Sequence, residues 1–124
     1  MTDDVRLHLE RADDCIADAE LLLAASRVGA AVSRAYYTMF HAATAALLHR
    51  GITRHSHQGV IAAFGQVFAK PGHVDARLHR YFADAFDLRQ ESDYLPVVRL
   101  VDEKAQEVLG WAREFVAVCR QLCE

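Results

Sequence analysis

The sequence predicts an all-α fold, an up-and-down bundle of four long helices with one short accessory helix, in a single domain over residues 1–124. Three observations predict it. Apolar residues recur at three- and four-residue spacing through most of the chain, and no segment shows the two-residue alternation of a half-buried strand. The run from about Val28 to His49 carries two adjacent apolar stripes, so it reads as a central helix packed on most sides. The clearest turn, Lys70-Pro71-Gly72-His73, falls between two helical patterns.

Thr2 can cap the first helix, whose opening turn carries Asp3 and Asp4 against the positive end of the dipole. Val5, Leu9, Ala12, Ile16, Ala19 and Leu23 then form one face of about six turns. Ser26-Arg27-Val28-Gly29 is expected to break it. In the central helix Tyr36, Phe40, Ala43 and Leu47 make one stripe. Arg34, Tyr37, His41, Thr44 (or Ala45) and Leu48 make the second. Arg34 and His41 there need partners, because a buried cation or imidazole without hydrogen bonds costs several kcal/mol. Gly51 suits the residue just past the helix end.

A polar loop, Arg54 to Gly59, leads into a short third helix with Val60, Ile61, Phe64, Val67 and Phe68. A fourth helix from about Asp75 buries Leu78, Tyr81 or Phe82, Ala85, Phe86 and Leu88, and runs down between Gln90 and Tyr94. Pro96 disfavours helical geometry at Leu95 and suits the first turn of a last helix. That helix carries Val98, Val101, Ala105, Val108, Ala112, Phe115, Cys119 and Leu122.

A chain of 124 residues can bury roughly two thirds of its unfolded surface. A composition of 52% hydrophobic and 25% charged residues describes an ordinary soluble globule. A net charge of −3 gathers no nucleic acid by itself, so any RNA contact must be local, through a few arginines. Cys15, Cys119 and Cys123 lack metal-ligand spacing and read as small core residues. The acidic start and the lack of a spanning apolar run predict a cytoplasmic protein without membrane attachment. His55, His57, His73 and His79 lie in or near loops without metal-site spacing, so they read as solvated side chains, and neither metal nor cofactor is expected. No Gly-rich phosphate loop or G-x-S-x-G turn is present.

The chemically richest stretch is Arg89-Gln90-Glu91-Ser92-Asp93-Tyr94. With it, three ordered segments resemble the HEPN family (higher eukaryotes and prokaryotes nucleotide-binding). Ser33-Arg34-Ala35-Tyr36-Tyr37 with Met39-Phe40-His41-Ala42-Ala43 is similar to its second helix. His57-x-Gly59-Val60 with Phe64 and Phe68 resembles its third-helix segment, and Leu88-Arg89-Gln90-x-x-Asp93-Tyr94 its motif at the end of the fourth helix. The resemblance covers essentially the whole chain and is closest to short, single-domain bacterial and archaeal members.

It implies a helical bundle that forms a homodimer, often beside a minimal nucleotidyltransferase partner in toxin–antitoxin or defence systems. Many members are metal-independent endoribonucleases using Arg-x4–6-His, where Arg balances phosphate charge and His moves protons as the 2′-hydroxyl attacks. This sequence departs there: after Arg89, Asp93, Tyr94, Leu95, Pro96 and Val97 supply no His. Ordinary pKa values of about 10 for Tyr94 and about 3.9 for Asp93 make neither a ready substitute. The bare spacing recurs at Arg34-x6-His41, Arg50-x4-His55 and Arg50-x6-His57, and Arg34 and His41 share one face.

The resemblance thus marks Arg89, Asp93 and Tyr94 as candidate catalytic residues of a functional cleft, with Arg34, Tyr37, His41 and His57 as a binding or structural polar network. The expected function is a toxin-like or partner subunit that binds RNA, a nucleotide or its nucleotidyltransferase. An active ribonuclease with Arg89 on the phosphate is the first alternative, and a non-catalytic helical scaffold the second. In some members the partner silences the protein by adding AMP to a tyrosine beside the Arg motif, and Tyr94 stands at that place.

Overall fold

The computed structural model describes residues 1–94 and 100–124, Tyr94 by its backbone only. They form α1 (Asp3–Ala24), α2 (Val28–His49), α3 (His57–Phe64), a π-helical turn (Gly65–Ala69), α4 (Ala76–Tyr94) and α5 (Asp102–Leu122), with no strand among the described residues. The four long helices and the short accessory one are as the apolar periodicity predicts.

Helix ends follow local chemistry. Thr2 Oγ1 accepts from Val5 N–H at 3.4 Å and Ser56 Oγ from Gly59 N–H at 2.9 Å, capping α1 and α3. Asp75 Oδ1 accepts from Arg77 N–H at 2.9 Å at the head of α4. At the end of α2, Gly51 N–H donates to the Leu48 carbonyl and Ile52 N–H to that of Leu47, a Schellman pair closed by Gly51 at φ 75°. The end of α1 repeats the pattern, with Ser26 N–H on Leu23 and Arg27 N–H on Leu22. There the left-handed position belongs to Ser26, at φ 62°. The break expected over Ser26–Gly29 is therefore shorter, because Val28 and Gly29 already belong to α2.

Helix α2 is the axle of the bundle and touches all four other helices. Ala31, Ala35, Ala42, Ala43, Ala45 and Ala46 are fully buried on it, so neighbouring helices approach its backbone closely. Its two stripes differ in depth. In the first, Tyr36, Ala43 and Leu47 lie in the core and Phe40 at its margin; in the second, Arg34, Tyr37, His41, Thr44 and Leu48 are all half-buried. Thr38, also buried, satisfies its hydroxyl on the Arg34 carbonyl at 3.0 Å.

Aromatic rings from four helices fill the centre. Phe64 of α3 lies 4.8 Å from Phe115 of α5, centroid to centroid. Phe82 of α4 is 5.2 Å from Phe115 and 5.9 Å from Tyr36 of α2. Phe82, not Tyr81, takes the core position on α4; Tyr81 stacks on Trp111 at 4.9 Å nearer the surface. The π-helical turn, closed by Lys70 N–H on the Gly65 carbonyl at 2.8 Å, begins where α4 crosses it. A Cβ on Gly65 would stand 2.6 Å from the His79 ring, so only glycine admits that imidazole, whose Nε2 is 3.0 Å from the Ile61 carbonyl.

Helix α5 starts at Asp102, not near Pro96. Val101 is extended, precedes it and is 59% exposed, so the apolar stripe begins at Ala105. Val98 and Pro96 lie outside the described residues. No helix among the described residues is long and apolar enough to cross a membrane.

Candidate functional site

Tyr36 and Tyr37 are neighbours on α2 and so point about 100° apart, one into the core and one to its margin. Tyr36 is fully buried and Tyr37 half-buried, their rings 5.3 Å apart and edge-on. The last turns of α4 bring Arg89 over this pair. Its guanidinium carbon is 5.3 Å from the Tyr37 ring centroid and 5.9 Å from that of Tyr36. Arg89 Nη2 donates to the Tyr37 hydroxyl at 2.9 Å. One turn on, the Asp93 carboxylate forms an ion pair with Arg89 Nε at 3.0 Å. The Arg89 side chain is 12% exposed. Arg34, one turn before Tyr37 on α2, lies against the same tyrosine at 4.8 Å from the centroid.

The accessory helix delivers the imidazole. His57 heads α3, and its Nδ1 is 2.7 Å from the Tyr36 hydroxyl, the donor depending on the His tautomer. Its ring is 4.6 Å from Phe40 and 6.0 Å from Phe86. Burial, and then the Arg89 charge, hold the His57 pKa below the ordinary value, so the ring is neutral at pH 7. Burial likewise raises the Tyr36 phenol far above its usual range, and that hydroxyl keeps its proton.

Of the residues singled out in the sequence, Arg34, Tyr37, His57, Arg89 and Asp93 meet here, from three helices. His41 does not join them. Its Nδ1 is 3.1 Å from Nδ1 of His8 on α1, with the rings stacked at 5.3 Å. Arg34 and His41 therefore share a face but serve different partners. The side chain of Tyr94 lies outside the described residues. His57 and His79 are not the solvated loop histidines their surroundings suggest, since each is hydrogen-bonded to another element. The participant that sequence reasoning missed is Tyr36, placed there as plain core. The available signal was its phenol, since a buried hydroxyl requires a partner. No group of three or more His, Cys, Asp or Glu among the described residues could hold a metal ion.

A buried guanidinium fixed by a hydroxyl and a carboxylate, with a neutral imidazole one tyrosine away, is equipped to hold an anion and to exchange a proton beside it. Comparison with known proteins gives the family. The HEPN domain model matches residues 5–122. A Thermotoga maritima protein named "UPF0332 protein" is 35% identical over 92% of this chain and 86% of its own length. Two Methanocaldococcus jannaschii proteins, named "Putative toxin MJ0142" and "Putative toxin MJ0605", are similar at 33% and 30% identity. Those alignments cover 87% and 92% of this chain, and 74% and 84% of the relatives.

Proposed function

Because the chain belongs to the HEPN domain family, we propose that it is the toxin-like or partner subunit of a two-component system with a minimal nucleotidyltransferase. It works as a homodimer and binds RNA, a nucleotide or that partner at the Arg89 site. The observation that carries this reading is the state of Arg89. Burying a guanidinium costs several kcal/mol unless its hydrogen bonds and charge are met. Tyr37 accepts one of those hydrogen bonds and the Asp93 carboxylate balances the charge. The names of the two archaeal relatives support the toxin-like role.

A specific observation also favours the ribonuclease reading. The motif histidine is absent after Arg89, but His57 reaches the same tyrosine pair from α3. As a neutral imidazole it can take the proton of a 2′-hydroxyl as that oxygen bonds to phosphorus and the 5′-oxygen leaves, to be protonated by solvent. Arg89 would balance the charge gathering on the phosphate.

Fluorescence anisotropy with a short labelled RNA tests both readings. Arg89→Ala should weaken binding by about tenfold or more, the worth of a charge-assisted contact, with an unchanged helical spectrum. In chelator, cleavage that disappears in His57→Ala while binding persists identifies the enzyme; intact RNA throughout identifies the binding module. Arg89→Ala that binds RNA and the co-expressed nucleotidyltransferase as the parent does refutes the Arg89 assignment. Light scattering at micromolar concentration should give a mass near twice 13.9 kDa, and a monomer across that range refutes the dimer.

A further inference from the structure

Among the described residues, two guanidinium groups and one carboxylate meet around Tyr37. Arg34 and Arg89 approach its ring from two helices, at 4.8 and 5.3 Å from the centroid. Among the described residues, Asp93 is the one carboxylate paired with either of them. Its side chain is 33% exposed, in the last turn of α4, so it faces solvent as well as Arg89. Asp93 is thus a tethered ligand of Arg89, present at the high effective concentration of an intramolecular group.

That tether decides which anion gains by binding. An internal phosphodiester carries one charge, as the carboxylate does, and displaces it for little return. A terminal phosphomonoester carries about −1.5 to −2 at pH 7 on three acceptor oxygens, enough to answer both guanidinium groups. The Tyr37 hydroxyl, accepting from Arg89, still has its own hydrogen to donate to a phosphate oxygen. We infer that the site around Tyr37 selects a terminal phosphomonoester, on an RNA end or a free nucleotide, over an internal phosphodiester, with Arg89 and Arg34 as its cations and Asp93 as the resident counter-ion it displaces. The inference rests on the binding reading of Arg89 above, not on the ribonuclease reading, and adds the ligand class and the counter-ion it displaces.

The test compares one short RNA, labelled at its 3′ end, carrying either a 5′-phosphate or a 5′-hydroxyl. The parent protein should bind the 5′-phosphate form about tenfold more tightly, as expected for one added charge-assisted contact. In Asp93→Asn the difference should shrink to about threefold or less, mainly because the 5′-hydroxyl RNA binds better once the competing charge is gone. Arg34→Gln should weaken the 5′-phosphate form selectively. Competition by AMP against the 5′-phosphate RNA points to free nucleotides as a ligand source; preference for the phosphorylated end without AMP competition points to RNA ends.

Equal affinity of the two RNAs for the parent, with binding still lost in Arg89→Ala, overturns the selection and leaves the Arg89 reading standing. Absence of any Arg89-dependent binding overturns both. A preference unchanged in Asp93→Asn overturns the counter-ion role.

Discussion

Tyr36→Ala should lower the thermal midpoint of unfolding by roughly 10–20 °C, corresponding to a loss of about 3–5 kcal/mol, in a melt followed by circular dichroism. The ring is fully buried in the axle helix and lies between Phe82, Phe86 and Phe40, at 5.9, 5.6 and 6.2 Å. Its removal leaves a cavity where α2, α3 and α4 meet, and the surrounding rings, fixed by their own neighbours, cannot close it fully. The hydroxyl is a separable part. Tyr36→Phe keeps the ring and removes the partner of His57 Nδ1, so it should cost only about 1 kcal/mol. A Tyr36→Ala protein melting within a few degrees of the parent would show that this ring is no keystone. A Tyr36→Phe protein that melts normally yet loses chelator-resistant RNA cleavage would tie the hydroxyl to His57 chemistry.

The second large effect is expected on acidification. His41 is held down to about 4, by burial first and then by the charges of His8, Arg11 and Arg34; His8 is also lowered, by burial. A histidine whose folded pKa lies below its unfolded value binds fewer protons when folded, so stability rises with pH between the two values. The contribution of His41 is fully present above about pH 6.5 and is lost as pH falls towards about 4. For a half-buried ring this amounts to about 2 kcal/mol. The structural cause is plain. One Nδ1 of the His8–His41 pair must donate and the other accept across 3.1 Å, so charging both rings sets two cations together between α1 and α2, near Arg11 and Arg34. Asp4 offsets this in part at His8. Melting temperatures from pH 7 to pH 4.5 should fall more steeply for the parent than for His41→Gln. Parallel curves would show that the pair does not govern acid stability.

The helices, their order and most of their core faces were legible because each rests on local information. The spacing of Ala105, Val108, Ala112, Phe115 and Cys119 leaves no doubt about the inward face of α5, and Gly51 signals the end of α2 through backbone geometry alone. Boundaries were read less well where two local signals compete. Ser26 takes a left-handed conformation that glycine favours, and so the turn closes before Gly29 rather than at it. The onset of α5 was read from the proline at Pro96 instead of from Asp102 and Glu103, which provide the acidic first turn. In the site, Arg89 and Asp93 were legible as members of one motif, and Arg34 and Tyr37 as neighbours on one face; the Arg89–Asp93 ion pair itself came from the structure.

By itself, the sequence determined that this chain is an α-helical bundle with an arginine motif at the end of its fourth helix and no histidine after it, since periodicity, capping and motif spacing are properties of adjacent residues. Only the tertiary structure decided who meets whom. Tyr36 and His57 are 21 residues apart, His8 and His41 33, and Tyr37 and Arg89 52. Each pairing depends on how far one helix slides and turns against another, and that register is set by the alanine face of α2 and by the packing of Phe64 and Phe82 on Phe115 and of Phe82 on Tyr36. A one-turn slip of α4 along α2 would leave every helix intact and carry Arg89 about 5.4 Å from the tyrosine hydroxyl that orients it.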